Sequence, residues 1–444
     1  MVSPNVLGSG KLPTRKRVVA LGLVMGMIAI NYIDRVNLSV ATPTLMKELN
    51  LSADQMGVLM SAFYWSYVLV MIPAGVLLVK FGAKTLLTVS CFLWGLATAA
   101  TALVHGFWSF MAVRILLGVA EGPAYPAAAQ VVSVWIPKRE RTLASACFDS
   151  CARVGSGIAP PLVAWLIVHF GWQASFVVTG IIAIAYSLYW HATYHEPDKH
   201  PKVSREEIDY IRQDEVINQD GHVVTTKPVP VLELFTYKKT VLLFIGYFTY
   251  TYYWHVFTSW IPAYLVQARS MDLKTMGFAA MIPFILGIIA EIYGGWFFDG
   301  LLRKGYNLNK VRRVGMAICL MGGSSTMLLA VQAPDPVWTV AFLSLSMVVY
   351  SFGASNVWSL DNDIAPYGQA GTISACKNAT GNLSGLVAPL ISGFLIGAGA
   401  TVVDGYNHAL YLVVGIAFLG GILYIANDYS RLSPRKRVEY TAAQ

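Results

Sequence analysis

The sequence predicts an all-α membrane protein, with twelve transmembrane helices arranged as two six-helix bundles. Three observations carry that expectation: an apolar excess that water could not solvate, twelve apolar spans, and a one-sided distribution of lysine and arginine. Of 444 residues, 56% are hydrophobic and only 13% are charged, and the mean hydropathy is +0.55. Soluble domains carry about 25% charged residues, so this chain could not cover a soluble surface and its missing solvent is lipid. The 38 glycines and 20 prolines fit the same reading, because membrane helices tolerate both.

A bilayer core asks for about 20 apolar residues per helix. Such spans fall at about 18–42, 56–79, 85–105, 107–135, 142–169, 172–194, 240–267, 275–299, 314–331, 336–360, 366–397 and 405–427. Between the sixth and seventh lies the one long polar segment, 195–239. It divides the chain into an N-terminal bundle (1–194) and a C-terminal bundle with a basic tail (240–444). Within it, Ser204-Arg205-Glu206-Glu207 begins a short surface helix, and Lys227-Pro228-Val229-Pro230 reads as extended. Lys11, Arg15, Lys16 and Arg17 precede an apolar run too long for a cleaved signal, with no small-residue cleavage pattern.

Threading these spans places 25 of the 32 basic residues on one side and three (Lys47, Arg269, Lys274) on the other, with four inside spans. By the positive-inside rule both termini are expected in the cytoplasm. A multi-pass protein of the inner (plasma) membrane follows. No basic, aromatic-interleaved domain suggests nucleic acid. Cys91, Cys147, Cys151, Cys319 and Cys376 all lie in apolar stretches without metal-ligand spacing. Neither a metal nor a cofactor is expected, and the protein is read as a monomer. No nucleophile–base cluster suggests an enzyme.

Charges inside spans carry the functional signal, because each costs at least about 2.5–3.5 kcal/mol at a helix centre and usually faces a cavity or partner. The first span holds Asn31-Tyr32-Ile33-Asp34-Arg35-Val36-Asn37, and the fourth runs from Arg114 to Glu121-Gly122-Pro123. Each offers one acid and one arginine. Guanidinium groups with apolar walls suit a carboxylate, which they bind bidentately, and buried acids suit proton coupling. The plainer alternative is that Asp34–Arg35 and Arg114–Glu121 are ion pairs that only orient helices.

Four segments resemble the major facilitator superfamily: Tyr32–Ala41, Ser61–Tyr67, Arg114–Tyr125-Pro126 and Trp260–Leu265. More narrowly they are similar to its anion:cation symporter family, which includes bacterial D-galactonate, glucarate and hexuronate transporters and animal sialin-type carriers. The resemblance implies a proton-coupled importer of an organic anion, with protons and a small carboxylate as partners; an exchanger or exporter on the same fold is the alternative. It further implies that Asp34 and Glu121 carry the proton and that Arg35 and Arg114 meet the substrate, with Arg114 the carboxylate anchor. Tyr32, Tyr67, Ser355, Trp358 and Asn378 match cavity contacts.

The sequence also departs from that family. Val79-Lys80 stands where an acid and an arginine usually close the second span. Asp149 and Arg153 stand four apart in the fifth span, where sugar-acid members are neutral. They read either as a helix-internal ion pair or as cavity residues. Lys377, Asp361 and Asp363 are further extra charges, with Lys377 expected to be neutralised by Asp361 or a neighbour. Glu291 has no evident partner in the sequence. The aromatic seventh span, Tyr247–His255, reads mostly as packing, and His255 as a satisfied buried histidine before a substrate contact. These additions suggest a cargo larger than a plain sugar acid, or a zwitterionic one.

Overall fold

The computed structural model describes residues 14–137, 140–212, 231–365 and 370–432. Among them every regular element is helical. The first half comprises α1 (Lys16–Glu48), α2 (Ala53–Ala100), α3 (Phe107–Glu121), α4 (Ala124–Trp135), α5 (Arg141–Phe170) and α6 (Trp172–Thr193). The connecting segment holds α7 (Arg205–Arg212) and α8 (Val231–Leu234). The second half comprises α9 (Lys238–Gln267), α10 (Leu273–Arg303), α11 (Leu308–Ala317), α12 (Gly323–Val331), α13 (Pro336–Ala354), α14 (Val357–Ile364), α15 (Ala370–Ala398) and α16 (Val402–Ala426).

Nine stretches among the described residues are long and apolar enough to cross a membrane, and several expected spans are modified for local reasons. The second and third run as one helix, α2, turned at Gly82 with φ 74°, a backbone region glycine enters without steric cost. The fourth is divided into α3 and α4 around Gly122-Pro123, where proline has no N–H for the Val119 carbonyl. The ninth contains a π-helical turn, Ile318–Gly322, and the tenth breaks at Ser355-Asn356 between α13 and α14. Helix starts are capped by short polar side chains. Asp272 accepts from the Thr275 N–H (2.9 Å), Asp335 from Trp338 (2.9 Å), and Thr401 from Asp404 (3.1 Å).

The first half packs through α1 on α5 and α2 on α3 and α6, and the second through α10 on α13 and α9 on α15 and α16. Across the halves, α2 meets α15, α5 meets α10, and α1 meets α9. Several of these contacts gather toward the end bearing the 49–52 and 268–272 loops. There Ser39 Oγ donates to the Ser259 carbonyl (2.5 Å), and Ser61 Oγ to the Leu386 carbonyl (2.6 Å). Gly57 and Gly393 let the backbones touch: a Cβ on Gly57 would stand 2.8 Å from the Pro389 oxygen, and one on Gly393 2.7 Å from the Ala53 oxygen.

The connecting segment is tied to the first half. Helix α7 forms where the sequence suggests a surface helix, yet its Glu207 is fully buried. That carboxylate accepts the backbone N–H groups of Lys16 (3.0 Å) and Arg17 (2.9 Å) and the Thr14 hydroxyl. An anion at a helix N-terminus satisfies orphan donors and complements the helix dipole. The expected extended stretch Lys227–Pro230 lies outside the described residues, as does the basic tail beyond 432.

The glycine crossing generates a test. Gly57→Leu should force α2 and α15 apart at the Ser39–Ser259 end. A Ser259→Cys reporter on a cysteine-free background should then react several-fold faster with a maleimide, and an unchanged rate would show that this crossing does not hold the halves together.

Candidate transport site

Asp34 and Arg35 are adjacent on α1 and therefore point about 100° apart. Arg35 turns to the cavity between the halves, and Asp34 turns into the first bundle. The sequence alternatives of Asp34–Arg35 and Arg114–Glu121 pairs are both replaced by a pair across helices: Arg35 Nε lies 2.9 Å from Glu121 Oε2. Arg114 and Glu121 share a face of α3 but stand seven residues, about 10 Å, apart along it, which is too far for a direct pair.

Arg35 is enclosed by rings. Its guanidinium carbon is 4.8 Å from the Phe63 and Tyr67 centroids and 5.2 Å from Tyr32. Arg114 sits 5.1 Å from the same Phe63 ring, and its Nε donates to the Leu59 carbonyl (3.2 Å). Its two terminal nitrogens have no partner among the described residues. Both arginines line one small cavity with Tyr32, Tyr64 and, from the second half, Trp254 and Thr258. A guanidinium fork unengaged at a cavity wall can receive a carboxylate.

Behind this wall lie the acids. Glu121 is 0% exposed and Asp34 1%. Asp34 has no salt bridge among the described residues; the Thr98 and Thr179 hydroxyls and the Trp94 indole are its polar neighbours, none at full hydrogen-bond geometry. Asn31, one turn before Asp34 on α1, lies beside Glu121. Asn31, Asp34, Glu121, Arg35 and Arg114 thus make one polar cluster inside the membrane.

The second half supplies another. Lys377 on α15 is 0% exposed; its Nζ lies 2.7 Å from Asp361 Oδ2, donates to the Val357 carbonyl (3.0 Å), and faces the rings of Tyr247 (4.7 Å) and Trp358 (4.8 Å). Asn378 accepts from the Tyr247 hydroxyl (3.2 Å). Helix α14 is pinned on a second side by Arg312, whose Nε is 2.8 Å from Asp363. Ser355 bonds back to the Phe352 carbonyl (3.0 Å) and is not brought to these groups.

Glu291, without a partner in the sequence reading, has one in space: Arg153 Nη1 at 2.8 Å, joining α5 to α10 across the halves. This replaces the helix-internal Asp149–Arg153 pair, because a partner on the facing helix lets Arg153 extend away from its own backbone. Arg153 also reaches the Tyr250 hydroxyl (3.4 Å) and the Trp254 ring (5.3 Å). His255 is buried, with Nδ1 2.9 Å from Ser384 Oγ and its ring edge-on to Tyr64 at 5.0 Å. The sequence pattern gives no individual role to Phe63, Tyr64, Tyr125, Tyr247 or Tyr250. Phe63, Tyr64 and Tyr125 lie inside the segments that carry the family resemblance, whereas Tyr247 and Tyr250 lie in a run of aromatic residues that hides them.

The inter-half pair is open to a double-mutant cycle. Arg153→Met or Glu291→Met alone leaves a buried charge uncompensated and should cost on the order of 3–5 kcal/mol. The double variant should recover much of that, read as thermal stability in detergent. Additive losses would contradict the pairing.

Comparison with known proteins agrees with this architecture. The model of the Major Facilitator Superfamily matches residues 24–389. The chain is 33% identical over 436 residues to the "Probable galactarate/D-glucarate transporter GarP" of Escherichia coli (strain K12), covering 95% of this chain and 97% of that one. It is 30% identical over 424 residues to the D-galactonate transporter of Escherichia coli O6:H1, covering 93% and 96%. Among solved structures, the bacterial homolog of the human lysosomal transporter Spinster, inward-facing and occupied, superposes with a TM-score of 0.74 at 14% identity, covering 94% of this chain and 97% of that one. The D-xylose-proton symporter gives 0.69 at 15% identity, covering 93% and 98%; both show the shared fold. The chain belongs to the Major Facilitator Superfamily, and is a multi-pass membrane transporter rather than an enzyme.

Proposed function

We propose that this transporter imports an organic carboxylate together with a proton, by alternating access of two helical bodies, residues 1–194 and 240–444, joined by 195–239. The observation that carries this reading is the charge balance at the first-half site. Arg35, Arg114, Glu121 and Asp34 sum to zero when both acids are ionised. Protonating Asp34 leaves the cluster at +1, and a carboxylate on the free fork of Arg114 restores neutrality. In a low-dielectric interior an unbalanced charge is expensive, so proton and anion stabilise each other's binding. Linkage makes that coupling reciprocal.

The lysine and arginine distribution supports cytoplasmic termini. With that orientation, the Ser39–Ser259 and Gly57–Gly393 contacts close the outward end. The relatives named for galactarate, D-glucarate and D-galactonate support a hydroxylated carboxylate as cargo.

In proteoliposomes with an imposed inward proton gradient, D-galactonate should accumulate. Asp34→Asn and Glu121→Gln should each abolish gradient-driven accumulation, while counterflow, which needs only binding and alternation, survives in at least one. Arg114→Lys keeps the charge but loses the planar fork, so binding should weaken on the order of tenfold. Full pH-driven accumulation in both acid variants, with unaltered affinity in Arg114→Lys, would refute the assignment.

A further inference from the structure

Beside that cavity, across Tyr32, lies a charge that the carboxylate reading leaves unused. Around it Arg153 is paired with Glu291 and Lys377 with Asp361, at 2.8 and 2.7 Å. Asp149, on α5 one turn before Arg153, has no cation within salt-bridge distance among the described residues. It is half-buried, not sealed in the bundle. Its surroundings come from both halves: the Trp358 indole lies beside it, Tyr32, Tyr125 and Tyr247 are further neighbours, and the paired Arg153, Glu291 and Lys377 stand farther off, beyond salt-bridge distance. Tyr32 also touches Arg35 and receives the Tyr125 hydroxyl at 3.4 Å, so it stands between Asp149 and the arginine cavity.

Taken together, these five charges sum to −1, and the residue carrying the excess is Asp149. The first-half cluster becomes +1 when its proton is bound. A region with an unengaged guanidinium fork on one side of Tyr32 and a carboxylate without a salt bridge on the other is complementary to a molecule with both signs of charge. The rings suit a cation as well: Trp358 and Tyr247 already hold the Lys377 ammonium at 4.8 and 4.7 Å, an arrangement in which aromatic faces stabilise positive charge. We infer that the cargo is zwitterionic, a hydroxylated carboxylate that also bears an ammonium group, with the carboxylate on Arg114 and the ammonium against Asp149. This rests on the carboxylate reading above and adds the second contact.

The test compares matched ligands on the purified full-length protein by calorimetry. D-galactonate is set against 2-amino-2-deoxy-D-galactonate, and ω-hydroxy acids against ω-amino acids of stepped chain length. The amino member of a pair should bind tighter by on the order of tenfold. Asp149→Asn, nearly isosteric, should erase that preference, and Asp149→Glu should retain part of it. Arg114→Lys should weaken both members alike. Hydroxy acids that bind as tightly as amino acids, with Arg114-dependent affinity, overturn this inference and leave the carboxylate reading standing. A preference for the amino member that survives Asp149→Asn also overturns it. Failure of every carboxylate to bind the folded wild-type protein overturns both.

Discussion

A charge buried in a membrane protein must be neutralised on the spot or be held for a ligand, because lipid and packed side chains screen almost nothing. That constraint organises this molecule. Arg35–Glu121, Arg153–Glu291, Lys377–Asp361 and Arg312–Asp363 each close at 2.7–2.9 Å, and none is formed by residues adjacent on one helix turn. Each joins two different helices, so neutralising a charge and fixing helix positions are the same event. Arg35–Glu121 sets α1 against α3 just before the break at Gly122-Pro123. Lys377–Asp361 and Arg312–Asp363 hold the detached α14 from two sides. Arg153–Glu291 is the pair that crosses between the halves.

The groups left over define what the cavity can accept. Among the described residues, the Arg114 terminal nitrogens have no partner, Asp34 lies behind them without a salt bridge, and Asp149 stands across Tyr32 without one. Paired charges serve architecture, since breaking such a pair is costly while the intact pair adds little net stability. Unpaired charges have no such structural return, and in the proposed function they meet mobile partners: a proton, an anion or a cation that comes and goes with the transport cycle.

Much of the fold is legible in the sequence because it follows from bulk physics. The helical membrane fold and the helix α7 start at Arg205 come from hydropathy and composition, which need no knowledge of neighbours. The interruptions are partly legible: Gly122-Pro123 announces a break, whereas the turn at Ser355-Asn356 and the π turn at Ile318–Gly322 do not. The charges inside spans are readable in the sequence, but their pairing is not. Sequence proximity suggested Asp34–Arg35 and Asp149–Arg153, and the structure chose Glu121 and Glu291, because an arginine side chain reaches a facing helix more readily than it folds back along its own. Tyr247 and Tyr250 were unreadable for a different reason. In a run of aromatic residues, nothing in the sequence separates a ring that packs from one whose hydroxyl meets Asn378 or Arg153.

The central claim is that cargo and proton neutralise one buried cluster together. It is tested most directly by mixing purified protein with a binding carboxylate, such as D-galactonate, in weakly buffered solution containing a pH indicator. The account predicts proton uptake that saturates with the ligand, is largest when the free Asp34 starts ionised, and is absent in Asp34→Asn although the ligand still binds. Binding without proton uptake at any pH near neutrality, or equal uptake in the wild type and Asp34→Asn, would contradict it.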